Sequence, residues 1–228
     1  MLFGKIAGEL RQVRAHSDGF ANLFWRERFV PIQDFCIKVQ LSRMDAGQLL
    51  NKLISRTGLL EQHVQTLCRL EPLMAPMASE IALAFYDYLG RDEEMRAILW
   101  EVPGRVERLY QSFSDWYREL FCGKYNAEYA EKRARIGLVH AAVGVKPSFI
   151  MPAFGIVQEL SLEHLRNTLR SPEVFSAVEA FEKIMSIEAA LMQDSYMQAM
   201  EYGYRLGVAA DQEKALIAGA RAILGKIN

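Results

Sequence analysis

Cysteine is scarce in this chain: three among 228 residues, at positions 36, 68 and 122. An odd number at wide spacing excludes a disulfide framework and a zinc pattern, and three reduced thiols suit a cytoplasmic protein. An excess of one charge is lacking too. Lys plus Arg number 27 and Asp plus Glu 28, a formal net charge of −1. No block of five basic residues occurs, so no nucleic-acid surface is expected. No window approaches the roughly 20 apolar residues of a membrane span. The opening MLFGKIAGELRQVR is charged throughout and is not a secretory signal. Its stripe of Leu2, Ile6, Leu10 and Val13 reads as a packing face. Internal repeats, low-complexity tracts and Ser/Gly-rich linkers are missing as well.

What is present is apolar residue at helical spacing. Hydrophobic side chains make up 51% of the chain, enough for a sizeable core. Strand-like alternation is nearly absent, so the expected class is all-α. One or two helices are expected over residues 1–55 and others over 58–70, Pro72–Leu89, Pro103–Phe121, Ala127–Val143 and Ser148–Leu169. A long helix should start with Ser171 as N-cap and Pro172 at its first position, and a last one should cover Ala209–Leu224. The long helix carries Val174, Val178, Phe181, Met185, Met192, Tyr196 and Met200 on one stripe, which suits a partner helix from a second subunit.

The most informative segment is YAEKRARIGLVHAAVGVKPSF, residues 129–149. With Ile136 as i, His140 falls at i+4 and Val143 at i+7, on one apolar face. Gly144 suits a helix end that needs a left-handed residue, and Pro147 a fresh start. His140 is thus expected in the last turn of a helix, facing the core beside a tight corner. Spacing alone leaves two readings, a hydrogen-bonded core imidazole or a metal ligand; neutral imidazole is a common iron ligand.

The run FSDWYRELFCGKYNAEYAEKRARIGLVHAAVGVKPSF resembles the bacterial globin-coupled sensors. The matching positions are Trp116, Leu120-Phe121, Gly123, Tyr129, Ile136-Gly137, His140, Gly144 and Pro147. Upstream, Leu70-Glu71-Pro72-Leu73 and Phe85-Tyr86-Asp87-Tyr88-Leu89 match as well. The resemblance covers about residues 56–200. It implies a sensor-type globin fold with an N-terminal helical extension (1–55), a globin domain (56–200) and a C-terminal helical tail (201–228). It implies haem b, iron protoporphyrin IX, held by His140 as the metal ligand. Tyr86 would face the other side of the iron and donate to dioxygen or another diatomic gas. The pocket would be lined by Leu109, Phe113, Trp116, Ile136, Val143 and Phe149. On the roofing helix the residue nearest the ligand stays open between polar Gln111 or Ser112 and apolar Leu109 or Phe113. His16, His63 and His164 are expected to be exposed or half-buried, not ligands. The family's aromatic pair after the proline is reduced here to Phe149 alone, and the lead-in before residue 56 is longer than usual.

The resemblance implies a gas sensor that signals through a homodimer of its last globin helices or through a downstream protein, without catalysis. Two alternatives remain: a globin enzyme such as a nitric oxide dioxygenase served by an external reductase, and a haem-free interaction module. After residue 200 no nucleotide-binding glycine loop and no heptad array follows.

Overall fold

Helix limits follow local capping chemistry. A computed structural model describes residues 45–208 and 211–227, all within the compact unit Met44–Asn228. The expectations for residues 1–44 lie outside the described residues. Asp45 caps α1 (Ala46–Thr57) by accepting from the Gln48 N–H at 2.7 Å, and Gly58 ends it in the left-handed region at φ 63°. This helix crosses the expected boundary at residue 55. His63 starts α2 (Glu61–Met74), its Nδ1 accepting from the Leu60 N–H at 2.9 Å. A short 3-10 turn, Ala75–Met77, leads into α3 (Ala78–Leu89). Asp92 caps α4 (Glu93–Trp100), then come α5 (Arg105–Glu119) and α6 (Ala127–Ala142), the latter capped by Asn126. The chain finishes with α7 (Pro147–Thr168), the 33-residue α8 (Glu173–Arg205) and α9 (Gln212–Ile227). No strand occurs among the described residues.

Four expectations need correction. Pro72 does not open a helix: it lies inside α2, and the break comes at Ala75–Met77. The helix α4 was not expected, because only eight residues separate its cap from its end, too few for a clear apolar period. Pro172 is the N-cap of α8, and no Ser171 side chain caps it. The apolar stripe of α8 is covered in part by its own chain. Phe181, Met185, Met192 and Tyr196 are buried there, because α8 packs against α1, α2, α6, α7 and α9. Burying each such side chain contributes about 1.5–3 kcal/mol, so these four residues build the chain's own core, while Val174, Val178 and Met200 of the same stripe are half-buried.

Helix α9 lies so close to α8 that only glycine fits between them. A Cβ on Gly203 would stand 1.7 Å from the Ala215 carbonyl oxygen, and one on Gly219 would stand 1.8 Å from that of Ala199. Separately, α3 packs on α5 and α7. Two packed groups result: α6, α8 and α9 carry His140, and α3, α5 and α7 carry Tyr86.

Candidate functional site

His140 occupies the last turn of α6, as its spacing implies. The corner beyond it is closed by Gly144 at φ 89° and by the Val145 N–H donating to the His140 carbonyl at 3.0 Å. The residue as a whole is half-buried. Its Nδ1 lies 2.8 Å from the Ile136 carbonyl oxygen. A carbonyl only accepts, so the proton sits on Nδ1 and the lone pair is left on Nε2. Burial holds the imidazole pKa below its ordinary value, outweighing the opposing effect of the Ile136 bond, so the ring is neutral at pH 7. Among the described residues Nε2 has no hydrogen-bond partner. An oriented neutral imidazole with a free Nε2 is what a haem iron requires. Among the described residues no three His, Cys, Asp or Glu side chains gather as a bare metal site would need. A porphyrin brings its own nitrogens and asks the protein for one ligand.

Tyr86 is buried on α3. Its hydroxyl donates to the Leu109 carbonyl at 3.5 Å, the outer limit of a hydrogen bond. Burial first, and Tyr110 second, push its pKa well above the usual tyrosine value, so it remains a neutral donor. The ring stands edge-on to Phe85 at 5.1 Å and Tyr110 at 5.3 Å, and 6.1 Å from Phe113. Phe113 meets Trp116 at 5.3 Å, and Trp116 meets Phe154 of α7 at 6.2 Å. Such pairs contribute about 0.5–1.5 kcal/mol each beyond their burial, so the rings hold α3, α5 and α7 in register.

The expected site residues therefore fall into groups. Tyr86, Phe113 and Trp116 share one aromatic chain, with the Leu109 carbonyl attached through Tyr86. Ile136 orients His140. Leu109, Ile136 and Phe149 are half-buried, and Val143, just after α6, is 45% exposed. Gln111 and Ser112 are exposed; Gln111 bonds Asp115 at 2.8 Å and Ser112 bonds the Arg108 carbonyl at 3.2 Å. Of the open candidates on the roofing helix, only apolar Leu109 and Phe113 turn inward. His63 is buried as the cap of α2, with Glu179 3.3 Å from its Nε2, which corrects the expectation of an exposed or half-buried ring.

Sequence reasoning missed a buried polar knot behind these rings. Glu188 of α8 and Arg133 of α6 are 2% and 3% exposed. Arg133 Nε donates to both Glu188 oxygens at 3.1 Å. Trp116 Nε1 donates to the same carboxylate at 2.7 Å, and the Tyr129 hydroxyl completes its shell. Arg133 also pairs with Glu119 of α5 and lies over the Tyr129 ring, 4.0 Å from its centroid. Burial alone would lower the guanidinium pKa; Glu188, Tyr129 and Glu119 together push it higher. The knot joins α5, α6 and α8. It therefore ties the helix bearing Trp116 to the helix bearing His140.

The chain is similar to the haem-based aerotactic transducer HemAT of Halobacterium salinarum, 25% identical over 175 residues. That match covers 72% of this chain and 35% of the relative, so the chain spans about a third of the curated protein. Among solved structures it is similar to the globin domain of the Geobacter sulfurreducens globin-coupled sensor. That likeness has a TM-score of 0.61 and 28% identity, over 64% of this chain and 96% of the other. The globin domain of E. coli DosC shares the fold alone, with a TM-score of 0.53 and 15% identity, over 65% of this chain and 99% of the other. The protoglobin family model matches residues 47–202, from α1 to near the end of α8. With His140, Tyr86 and their helices inside that match, the chain belongs to the protoglobin family.

Proposed function

We propose that this globin is a gas sensor that holds haem b through Nε2 of His140 and reads dioxygen or another diatomic gas on the Tyr86 side. The observation that carries the reading is the 2.8 Å bond from His140 Nδ1 to the Ile136 carbonyl. It fixes the tautomer, stops the ring from turning and leaves one nitrogen without a partner. Haem would supply an iron centre able to coordinate a small gas reversibly. The chain's own residues do the rest. The aromatic chain of Tyr86, Phe113 and Trp116 excludes water. The Tyr86 hydroxyl, on a bond at the limit of length, is cheaply redirected towards a polarised ligand. Leu109, Ile136, Val143 and Phe149 would supply apolar contacts around the group.

The signalling role rests on likeness to the aerotactic transducer and the sensor globin. Output through a dimer or a separate protein, in the cytoplasm, is part of this reading. Among the described residues no helix is long and apolar enough to cross a membrane. The test is an absorption spectrum of the purified ferrous protein with and without dioxygen. A strong Soret band that shifts on oxygenation, and that is lost in His140→Ala, supports the reading. A colourless protein after haem addition would sink it, as would full haem affinity in His140→Ala.

A further inference from the structure

The sequence keeps Cys68 and Cys122 far apart, but the fold brings Cys68 against Gly123, the residue that follows Cys122. Cys68 lies on α2 and Cys122 in the corner between α5 and α6; both are exposed free thiols. Gly123 has φ 67°, and a Cβ built on it would stand 2.3 Å from Cys68 Sγ. The sulfur of residue 68 thus rests against the backbone next to Cys122. Cys122 Sγ turns back over the same stretch, where the Lys124 N–H donates to it at 3.3 Å. Tyr125, two residues further on, is electrostatically coupled to both sulfurs: its hydroxyl pKa is pushed up by burial first, then by Cys122 and Cys68.

We propose that Cys68 and Cys122 are a redox pair that closes to an internal disulfide by exchange with a low-molecular-weight disulfide such as oxidised glutathione. One thiolate attacks a glutathione sulfur, forms a protein–glutathione disulfide and releases one glutathione. The second thiolate attacks the protein sulfur of that adduct and releases the other. Two protein thiols are oxidised, and one glutathione disulfide is reduced to two thiols. Gly123 makes the approach possible, since any side chain there would displace the sulfur. The bond would tie α2 to the corner that starts α6, the helix carrying His140. The pair stands apart from the haem reading, because neither sulfur takes part in the His140 or Tyr86 environment.

The test treats the full chain, with and without haem, with oxidised glutathione and maps peptides under non-reducing conditions by mass spectrometry. The expected product is a linked Cys68–Cys122 peptide pair, reversed by dithiothreitol, with no glutathione retained on either residue. In Cys122→Ser the adduct should stay trapped on Cys68, and in Cys68→Ser on Cys122, because the resolving thiol is gone. Circular dichroism of both variants checks that these exposed replacements leave the fold intact. Stable adducts on both cysteines of the unsubstituted chain, no reaction, or a link formed through Cys36 would overturn the proposal.

Discussion

Replacing Glu188 with alanine tests whether the knot behind the aromatic chain is structural. The substitution removes every acceptor that faces Arg133 Nε, Trp116 Nε1 and the Tyr129 hydroxyl. It leaves a guanidinium, 3% exposed, with Glu119 as its remaining carboxylate partner. Breaking a buried ion pair from one side costs about 3–5 kcal/mol, because the stranded charge is not resolvated. Each orphaned neutral donor adds about 1 kcal/mol, though not additively. A loss near 4 kcal/mol is a large share of the roughly 5–15 kcal/mol that holds a domain together. At about 2–4 °C per kcal/mol for this size, the melting temperature should fall by about 8–16 °C. Urea unfolding should show the same loss through the midpoint at unchanged slope. Glu188→Gln keeps an acceptor but not the charge, and should lose about half as much. The double replacement Arg133→Met with Glu188→Leu removes both charges and should recover most of the loss. A cost below about 1 kcal/mol for Glu188→Ala, or a double variant no more stable than the single one, would refute the reasoning.

His140→Ala should lose haem in a Soret titration, and added imidazole should restore part of the band by replacing the missing ring. Tyr86→Phe should speed dioxygen dissociation about tenfold, the equivalent of about 1.4 kcal/mol, as read by stopped flow; an unchanged rate would remove the hydroxyl from ligand binding. Gly203→Ala should unfasten α9, since its Cβ would sit 1.7 Å from the Ala215 carbonyl oxygen; faster proteolysis after residue 205 would report it. Burial would raise the Glu119 pKa, but the Arg133 hydrogen bond and charge, with Lys132, hold it below the usual glutamate value. A depressed folded-state pKa means its stabilisation is present above the ordinary glutamate range and is lost as pH falls through the lower, folded value. Glu119→Gln should therefore flatten the acid limb of the stability–pH curve and leave its slope above pH 7 unchanged.

Much of this fold can be read from the chain because helices announce themselves locally. The corner after His140 was foreseeable since Gly144 and Pro147 have conformational meanings of their own. The His140 tautomer was not, because the Ile136 carbonyl comes within 2.8 Å only once the helix has formed and the ring has chosen a rotamer. Pro72 misled for a similar reason. A proline tolerated inside a helix is indistinguishable in sequence from one that begins it, and α2 continues to Met74. The pairing of Cys68 with Gly123 depends on how α2 meets the α5–α6 corner, which no local pattern records.

Glu188 is the most instructive omission, because its signal was present. On α8 the buried stripe runs through Phe181 and Met185 to Met192, and the helical step between the last two falls at residue 188. A carboxylate in a slot the period assigns to the core is either a folding error or has a cationic partner inside. Arg133 is that partner. It stands four residues after Tyr129 and seven before His140, on a helix whose moderate amphipathicity hides which side is buried. Taken together, a misplaced acid on one helix and a misplaced base on another predict a buried pair more firmly than either residue alone. That inference needs no structure, and here it would have placed α8 against α6 from the sequence.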